Sequence, residues 1–314
     1  MWARRLVTLP ALLLATILLI AVAPVLVVAS LLLAFTQRYR SLPQAVAFAY
    51  AFLYCEWTGV LRLFWVWVRY RNSPLWLDKN YVVQRWWAGA LLAAGKRIFR
   101  LRIEVTGEDA VSGPSAILIC RHASIGDNVL PLLFFGVPRD EPLRYILKQE
   151  LKMLPTLDIG AHRLPCLFVD RSGTDTDSAV ESVKALVSSA PEDESIMVYP
   201  EGTRFSPEKQ ARLAKKPELS EQVARWPSLL PPRLGGVVGM LDVNPGKDVA
   251  FLCHTGFEGS ANLQDLMNGG WLDQLVRIHF WRVPHAEIPE DKAQFVFDQW
   301  DVMQQEVERL RGMP

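Results

Sequence analysis

A histidine and an aspartate stand five residues apart, directly after a short apolar run. The run occupies residues 116–120, and His122 and Asp127 follow it. A histidine titrates near neutral pH and can take a proton from a hydroxyl group. A carboxylate on its other ring nitrogen fixes the tautomer and stabilises the imidazolium. If the run is a strand and Asp127 begins the next helix, the turn between them brings the two side chains together. We therefore predict a catalytic pair.

Two further groups of polar residues also follow apolar runs. After residues 196–199 comes the segment Glu201, Gly202, Thr203 and Arg204. The glycine lets backbone approach a ligand, and the planar guanidinium of Arg204 suits a phosphate. After residues 166–169, Arg171 offers a second phosphate donor. All three groups lie at the carboxyl ends of predicted strands, which is the edge where open α/β sheets bind ligands.

The alternation of short apolar runs with helical patterns predicts an α/β fold, a mixed sheet flanked by helices. The predicted strands are 102–105, 116–120, 145–147, 166–169, 196–199, 249–253 and 276–281. A helix capped by Thr174 or Asp175 is predicted to run to Ser188, and a final helix to open at Pro289. The apolar face of that last helix is expected to pack in the core. Residues 207–232 are polar and rich in proline, which predicts a long surface loop.

The start of the chain predicts a membrane-embedded helical segment. Residues 6–37 carry no charge, and a transmembrane helix needs only ~20 apolar residues. A cleaved signal peptide has an apolar region of only ~7–15 residues, so this alternative fits poorly. Residues 42–68 are also apolar but contain Glu56 and Arg62, which are costly at the bilayer centre. This second stretch is therefore predicted to be re-entrant or interfacial.

A third stretch, residues 81–99, has basic and aromatic side chains that predict an amphipathic interfacial helix. Tryptophans that suggest the membrane–water interface cluster in this part of the chain: Trp57, Trp65, Trp67, Trp76, Trp86 and Trp87. We accordingly predict a membrane anchor over residues 1–99 and an α/β domain over residues 100–314.

Composition excludes several classes of function. The formal net charge is +1, so no basic field attracts nucleic acid. The four cysteines are scattered without a C-x-x-C pair, which argues against a zinc site or a disulfide framework. Free thiols fit a reducing compartment, so the α/β domain is expected to face the cytoplasm. No metal and no cofactor are predicted.

In their order and spacing these groups resemble the motifs of the lysophospholipid acyltransferase superfamily, which includes the 1-acylglycerol-3-phosphate acyltransferases. The usual first motif is Asn-His-x-Ser-x-x-Asp. Here His122, Ser124 and Asp127 match it, and Arg121 stands in place of the asparagine. The other segments that resemble the family are 168–171, 201–204, 147–155 and 229–236. The resemblance covers roughly residues 100–255. Within the superfamily, the sequence is similar to the bacterial inner-membrane branch.

This resemblance implies a role for each matching residue. His122 is the general base and Asp127 orients it. The residues expected to hold the glycerol-phosphate of the acceptor are Glu201, Gly202, Thr203 and Arg204, with Arg171 assisting. The acceptor is a lysophospholipid such as lysophosphatidate, and the donor co-substrate is acyl-CoA or acyl carrier protein. The expected location is the bacterial inner membrane, in contact with membrane lipids.

Two alternatives from other classes remain open. A membrane-anchored lipid or thioester hydrolase would use Ser124 or an activated water, although the nucleophile elbow G-x-S-x-G is absent from the sequence. A non-catalytic lipid-binding relative would need neither His122 nor Asp127, so the presence of both argues against it.

Overall fold

The computed structural model describes residues 2–169, 176–260 and 262–313. Within them lies a seven-stranded sheet in the order β1-β7-β6-β2-β5-β3-β4. The strands are β1 Arg102–Thr106, β2 Ala116–Cys120, β3 Leu143–Lys148, β4 Leu167–Val169, β5 Ser195–Val198, β6 Asp248–Thr255 and β7 Leu275–Val283. Neighbouring strands are parallel except β6 and β7. The predicted mixed α/β fold is confirmed.

Helices precede and flank the sheet. Their bounds are α1 Trp2–Leu33, α2 Leu42–Tyr70, α3 Trp76–Phe99, α4 Pro155–Ala161, α5 Thr176–Ser188, α6 Pro207–Ala214, α7 Pro217–Arg225, α8 Leu234–Asp242, α9 Leu263–Met267 and α10 Lys292–Gly312.

The central strand β2 is buried on both faces of the sheet, as its unbroken apolar sequence requires. Leu118 belongs to a core that includes Phe99 of α3. Its neighbour Ile119 belongs to a second core that includes Trp300 of α10. The apolar face predicted for the last helix is therefore confirmed as core packing. Because both faces are covered, the polar residues that follow β2 stand at the edge of the sheet.

The structure corrects two sequence predictions. Residues 207–232 are not one long loop, because α6 and α7 lie within them. Pro207 and Pro217 each open a helix, a position at which the missing N–H of proline does no harm. The final helix begins at Lys292 rather than at Pro289, and the Asp291 side chain caps it by accepting from the backbone N–H of Gln294. The predicted caps Thr174 and Asp175 lie outside the described residues.

Within the described part of the chain, α1 is the helix that is long and apolar enough to cross a membrane. It runs antiparallel to α2, since Trp57 bonds Thr16 and Tyr50 bonds the carbonyl of Leu19. At its first turn Arg5 pairs with the buried Asp158 of α4, at 2.8 Å.

Glu56 and Arg62 of α2 have different surroundings, because Arg62 is exposed whereas Glu56 is not. Glu56 is buried and accepts from Trp87 Nε1 at 3.0 Å and from the backbone N–H of Thr156 at 3.2 Å. The guanidinium of Arg62 lies over the ring of Trp86. Trp87 therefore packs in the protein instead of facing an interface, whereas Trp65 is mostly exposed.

Candidate active site

The carboxyl ends of three adjacent parallel strands build the site. In the register of β2 with β6, Cys120 pairs with Leu252, and in that of β2 with β5, Ile119 pairs with Val198. The residues that follow these strands consequently lie side by side. This arrangement places His122 between the segment after β5 and the end of β6.

His122 and Asp127 are in contact. The Nδ1 atom of His122 is 3.0 Å from Asp127 Oδ1 and 3.2 Å from Oδ2. A short helical turn, Asp127–Val129, follows the loop and presents the carboxylate to the ring. This geometry leaves Nε2 of His122 as the ring nitrogen that can face a substrate.

The carboxylate of Asp127 is held from its own loop. Its Oδ2 atom accepts the backbone N–H groups of Ala123 at 2.7 Å and Ser124 at 2.8 Å. Burial opposes charge on this group, but His122 and His254 stabilise the anion, and the pKa of Asp127 lies well below its ordinary value. Asp127 is therefore an anion that orients His122.

Two residues of this site were missed by sequence reasoning. The ring of Tyr199 stacks on His122 with centroids 4.3 Å apart, and its hydroxyl donates to the backbone carbonyl of Asp127 at 3.1 Å. His254 of β6 approaches Asp127 Oδ2 with its Nε2 at 3.4 Å. Their positions depend on strand pairing between distant parts of the chain, so no local motif reveals them.

Glu201 lies under the site instead of pointing into it. Its Oε1 accepts the backbone N–H of His122 at 2.6 Å, and its Oε2 accepts that of Leu230 at 3.1 Å. The residue is 2 % exposed, and burial raises its pKa to about 8. This geometry fits a role in holding the His122 backbone better than the predicted contact with substrate.

Gly202, Thr203 and Arg204 form a turn that is held by hydrogen bonds from a side chain of α6. Gly202 has a φ of +68°, a left-handed conformation that favours glycine. From α6, Lys209 donates to Thr203 Oγ1 at 3.0 Å and to the carbonyl of Arg204 at 2.7 Å. Burial and the neighbouring Arg204 lower the pKa of Lys209. Lys209, also unpredicted, adds a second cation near Arg204.

Arg121, which stands where the family usually has asparagine, is fully buried. Its guanidinium donates to the backbone carbonyls of His254 and Ser228 and to Glu258 Oε1 at 2.8 Å. Burial opposes charge on Glu258, yet Arg121 outweighs it and the pKa of Glu258 falls to about 2. Arg311 of α10 reaches the same carboxylate at 3.1 Å. Arg121 therefore ties the loop after β2 to the end of β6 and to the last helix.

Ser124 is engaged within its own turn. The residue is fully buried, and its Oγ lies 2.7 Å from Ser260 Oγ and accepts from the backbone N–H of Gly126 at 2.9 Å. Because its hydroxyl is buried and held in these two hydrogen bonds, Ser124 is poorly placed to act as a nucleophile. Arg171, the second predicted phosphate donor, lies outside the described residues.

A cavity of about 480 Å³ opens beside His122. Its wall is mostly apolar and comes from α2, α3, α4 and the ends of the strands, with Phe52, Leu91 and Trp271 among its members. The polar side chains of its lining include Lys148 and Arg204. The cavity thus joins a long apolar space to a histidine and two cations.

Comparison with known proteins finds similarity to acyltransferases. Residues 102–234 match the family model described as Acyltransferase. The chain is also similar to a crystal structure of the 1-acyl-sn-glycerophosphate (LPA) acyltransferase PlsC from Thermotoga maritima, with a TM-score of 0.58 and 18% identity. That match covers 89% of this chain and 99% of the other, and at such identity it supports the fold. No curated protein matches the chain. Over residues 102–234, the match agrees with the acyltransferase resemblance predicted from the motifs.

Proposed function

We propose that this chain is a member of the lysophospholipid acyltransferase superfamily and transfers a fatty acyl group from acyl-CoA or acyl carrier protein to the free hydroxyl of a lysophospholipid such as lysophosphatidate. The acyltransferase match over residues 102–234 and the fold similarity support this proposal. The observation that carries the proposal is the His122–Asp127 pair beside an apolar cavity whose lining includes Arg204 and Lys148. An apolar cavity suits a fatty acyl chain, and the cations suit the phosphate of the acceptor.

The reaction needs a single proton acceptor. His122 Nε2 takes the proton of the acceptor hydroxyl as that oxygen attacks the thioester carbonyl. Asp127 on Nδ1 stabilises the imidazolium that forms. The tetrahedral intermediate collapses, the C–S bond breaks, and the thiolate leaves with the proton from His122. The products are an ester and a free thiol.

The proposed location follows from the substrates and from α1. The acceptor and product are lipids, and α1 exposes most of its apolar side chains. We propose that residues 1–99 form the membrane-associated part and that the domain from residue 100 works on the cytoplasmic side of a bacterial inner membrane. The free cysteines, Cys55, Cys120, Cys166 and Cys253, support a reducing compartment.

His122→Ala is expected to abolish most of the transfer, by about 10²–10⁴-fold, because the variant lacks the general base. The measurement uses detergent-purified protein with labelled oleoyl-CoA or oleoyl-carrier protein and a panel of lysophospholipids. The matched control is His285→Ala, an exposed histidine outside the site. Release of free fatty acid without diacyl product, or equal turnover by His122→Ala, would contradict the proposal.

Arg204→Ala is expected to raise the KM for lysophosphatidate by about tenfold to a hundredfold, the effect of removing one charge-assisted hydrogen bond. A monoacylglycerol acceptor, which has no phosphate, should show little change in KM. Arg212→Ala removes an exposed cation of α6 and serves as the control. Equal losses for both acceptors would show that Arg204 does not recognise the phosphate.

A further inference from the structure

The imidazole of His254 lies close to Asp127 in the site. His254 belongs to β6, outside the sequence motifs that predicted the site. The last pair in the β2–β6 register is Cys120 with Leu252, and His254 lies two residues further along β6. His254 is fully buried, and its Nε2 is 3.4 Å from Asp127 Oδ2. The carboxylate of Asp127 thus has two imidazoles close to it, those of His122 and His254.

Both ring nitrogens of His254 lack a well-formed hydrogen bond within the described residues. Leaving a buried polar group unsatisfied is costly, so such a group calls for an explanation. The approach of Nε2 to Asp127 Oδ2 supplies one, because the carboxylate is the acceptor nearest to this nitrogen in the pair. A hydrophobic side chain of similar volume would pack in this place without that cost.

We propose that His254 is a positioning residue that shares the negative charge of Asp127 and thereby tunes how readily His122 releases a proton. This role rests on the proposed acyl transfer. His122 Nδ1 lies nearer to Oδ1 of Asp127 than to Oδ2, and Oδ2 already accepts the N–H groups of Ala123 and Ser124. A third donor on Oδ2 stabilises the carboxylate further and weakens its hold on a proton of His122.

The other charges around His254 are paired with one another. Arg121 donates to the backbone carbonyl of His254, and its guanidinium is bound to Glu258. Glu258 also accepts from Arg311 and from the backbone N–H of Gly256. The ring of Phe257 packs against the imidazole edge to face, with centroids 6.1 Å apart. The carboxylate that approaches Nε2 of His254 is that of Asp127, at 3.4 Å.

The test compares His254→Leu, which removes the donor, with His254→Gln, whose amide offers an N–H at similar reach and does not titrate near neutral pH. In His254→Leu, kcat/KM is expected to fall about tenfold, the low end for a lost hydrogen bond to a charged group. The acid limb of its pH profile should move to higher pH by about one unit, which matches that loss. His254→Gln should keep a profile close to that of the wild type.

A second measurement separates this inference from the proposed function. The chain has 5 histidines, so the protein labelled with ¹⁵N-histidine gives a simple NMR spectrum in which His122→Ala assigns the His122 signal. The titration midpoint of His122 should rise in His254→Leu and not in His254→Gln, whether or not acyl transfer is detected. A folded His254→Leu protein with the wild-type His122 titration would overturn the inference. If the variants show this pattern but the wild-type protein transfers no acyl group, the proposed function is contradicted instead.

Discussion

Asp127→Asn is expected to reduce kcat by about 10³–10⁴-fold while leaving the KM of both substrates nearly unchanged. The asparagine oxygen can still accept the N–H groups of Ala123 and Ser124, which keeps the loop in place. In the variant, the amide NH₂ then faces His122 Nδ1, which in the wild-type protein lies 3.0 Å from Oδ1 of Asp127. A donor at this position favours the tautomer with the proton on Nε2, which blocks the general base, and no anion stabilises the imidazolium.

The same kinetic assay checks this prediction, with Asp301→Asn as its control. Asp301 is also an ion-paired aspartate, bound to Arg225 and to Trp226 Nε1, but it lies on α10 and outside the site. Its replacement should affect thermal stability more than kcat. A tenfold or smaller loss of kcat in Asp127→Asn would mean that His122 works without its carboxylate partner.

Arg121→Leu is expected to destabilise the protein by about 3–5 kcal/mol, because it leaves a partly buried carboxylate without its main counterion. The guanidinium is fully buried and holds Glu258 and two backbone carbonyls. Unfolding of the detergent-solubilised protein by heat and by urea measures the loss. The double variant Arg121→Leu/Glu258→Gln should recover part of it, since the unpaired charge is gone.

The pH dependence gives a further check on this ion pair. The pKa of Glu258 is lowered in the folded protein from the ordinary 4.5 to about 2. A carboxyl whose pKa is lowered by folding stabilises the folded protein at every pH above its pKa in the unfolded chain. This stabilisation is lost as the pH falls through the pKa of the folded protein. The stability difference between wild type and Glu258→Gln should therefore shrink from pH 4.5 towards pH 2. A constant difference over that range, or a loss below 1 kcal/mol in Arg121→Leu at pH 7, would show that the pair is not stabilising.

Much of the fold and the central pair could be read from local sequence. Each predicted strand corresponds to an observed one, because the apolar runs are short, separated by polar residues and buried in both cores. His122 and Asp127 are only five residues apart, so one turn determines their contact. Helices α6 and α7 escaped prediction because their sequences are mostly polar and the proline at the start of each was interpreted as a loop signal.

The sequence by itself determined the apolar N-terminal helix, the alternation of strands and helices, the contact of His122 with Asp127 and the acyltransferase-like motifs, since all of these depend on neighbours along the chain. Only the tertiary structure decided that Glu201 supports the His122 backbone, that Arg121 is a buried tie, and that Tyr199 and His254 complete the site. These contacts join residues 77 or more positions apart. They arise from the pairing of β2 with β5 and β6 and from the packing around their ends, which no local pattern in the sequence specifies.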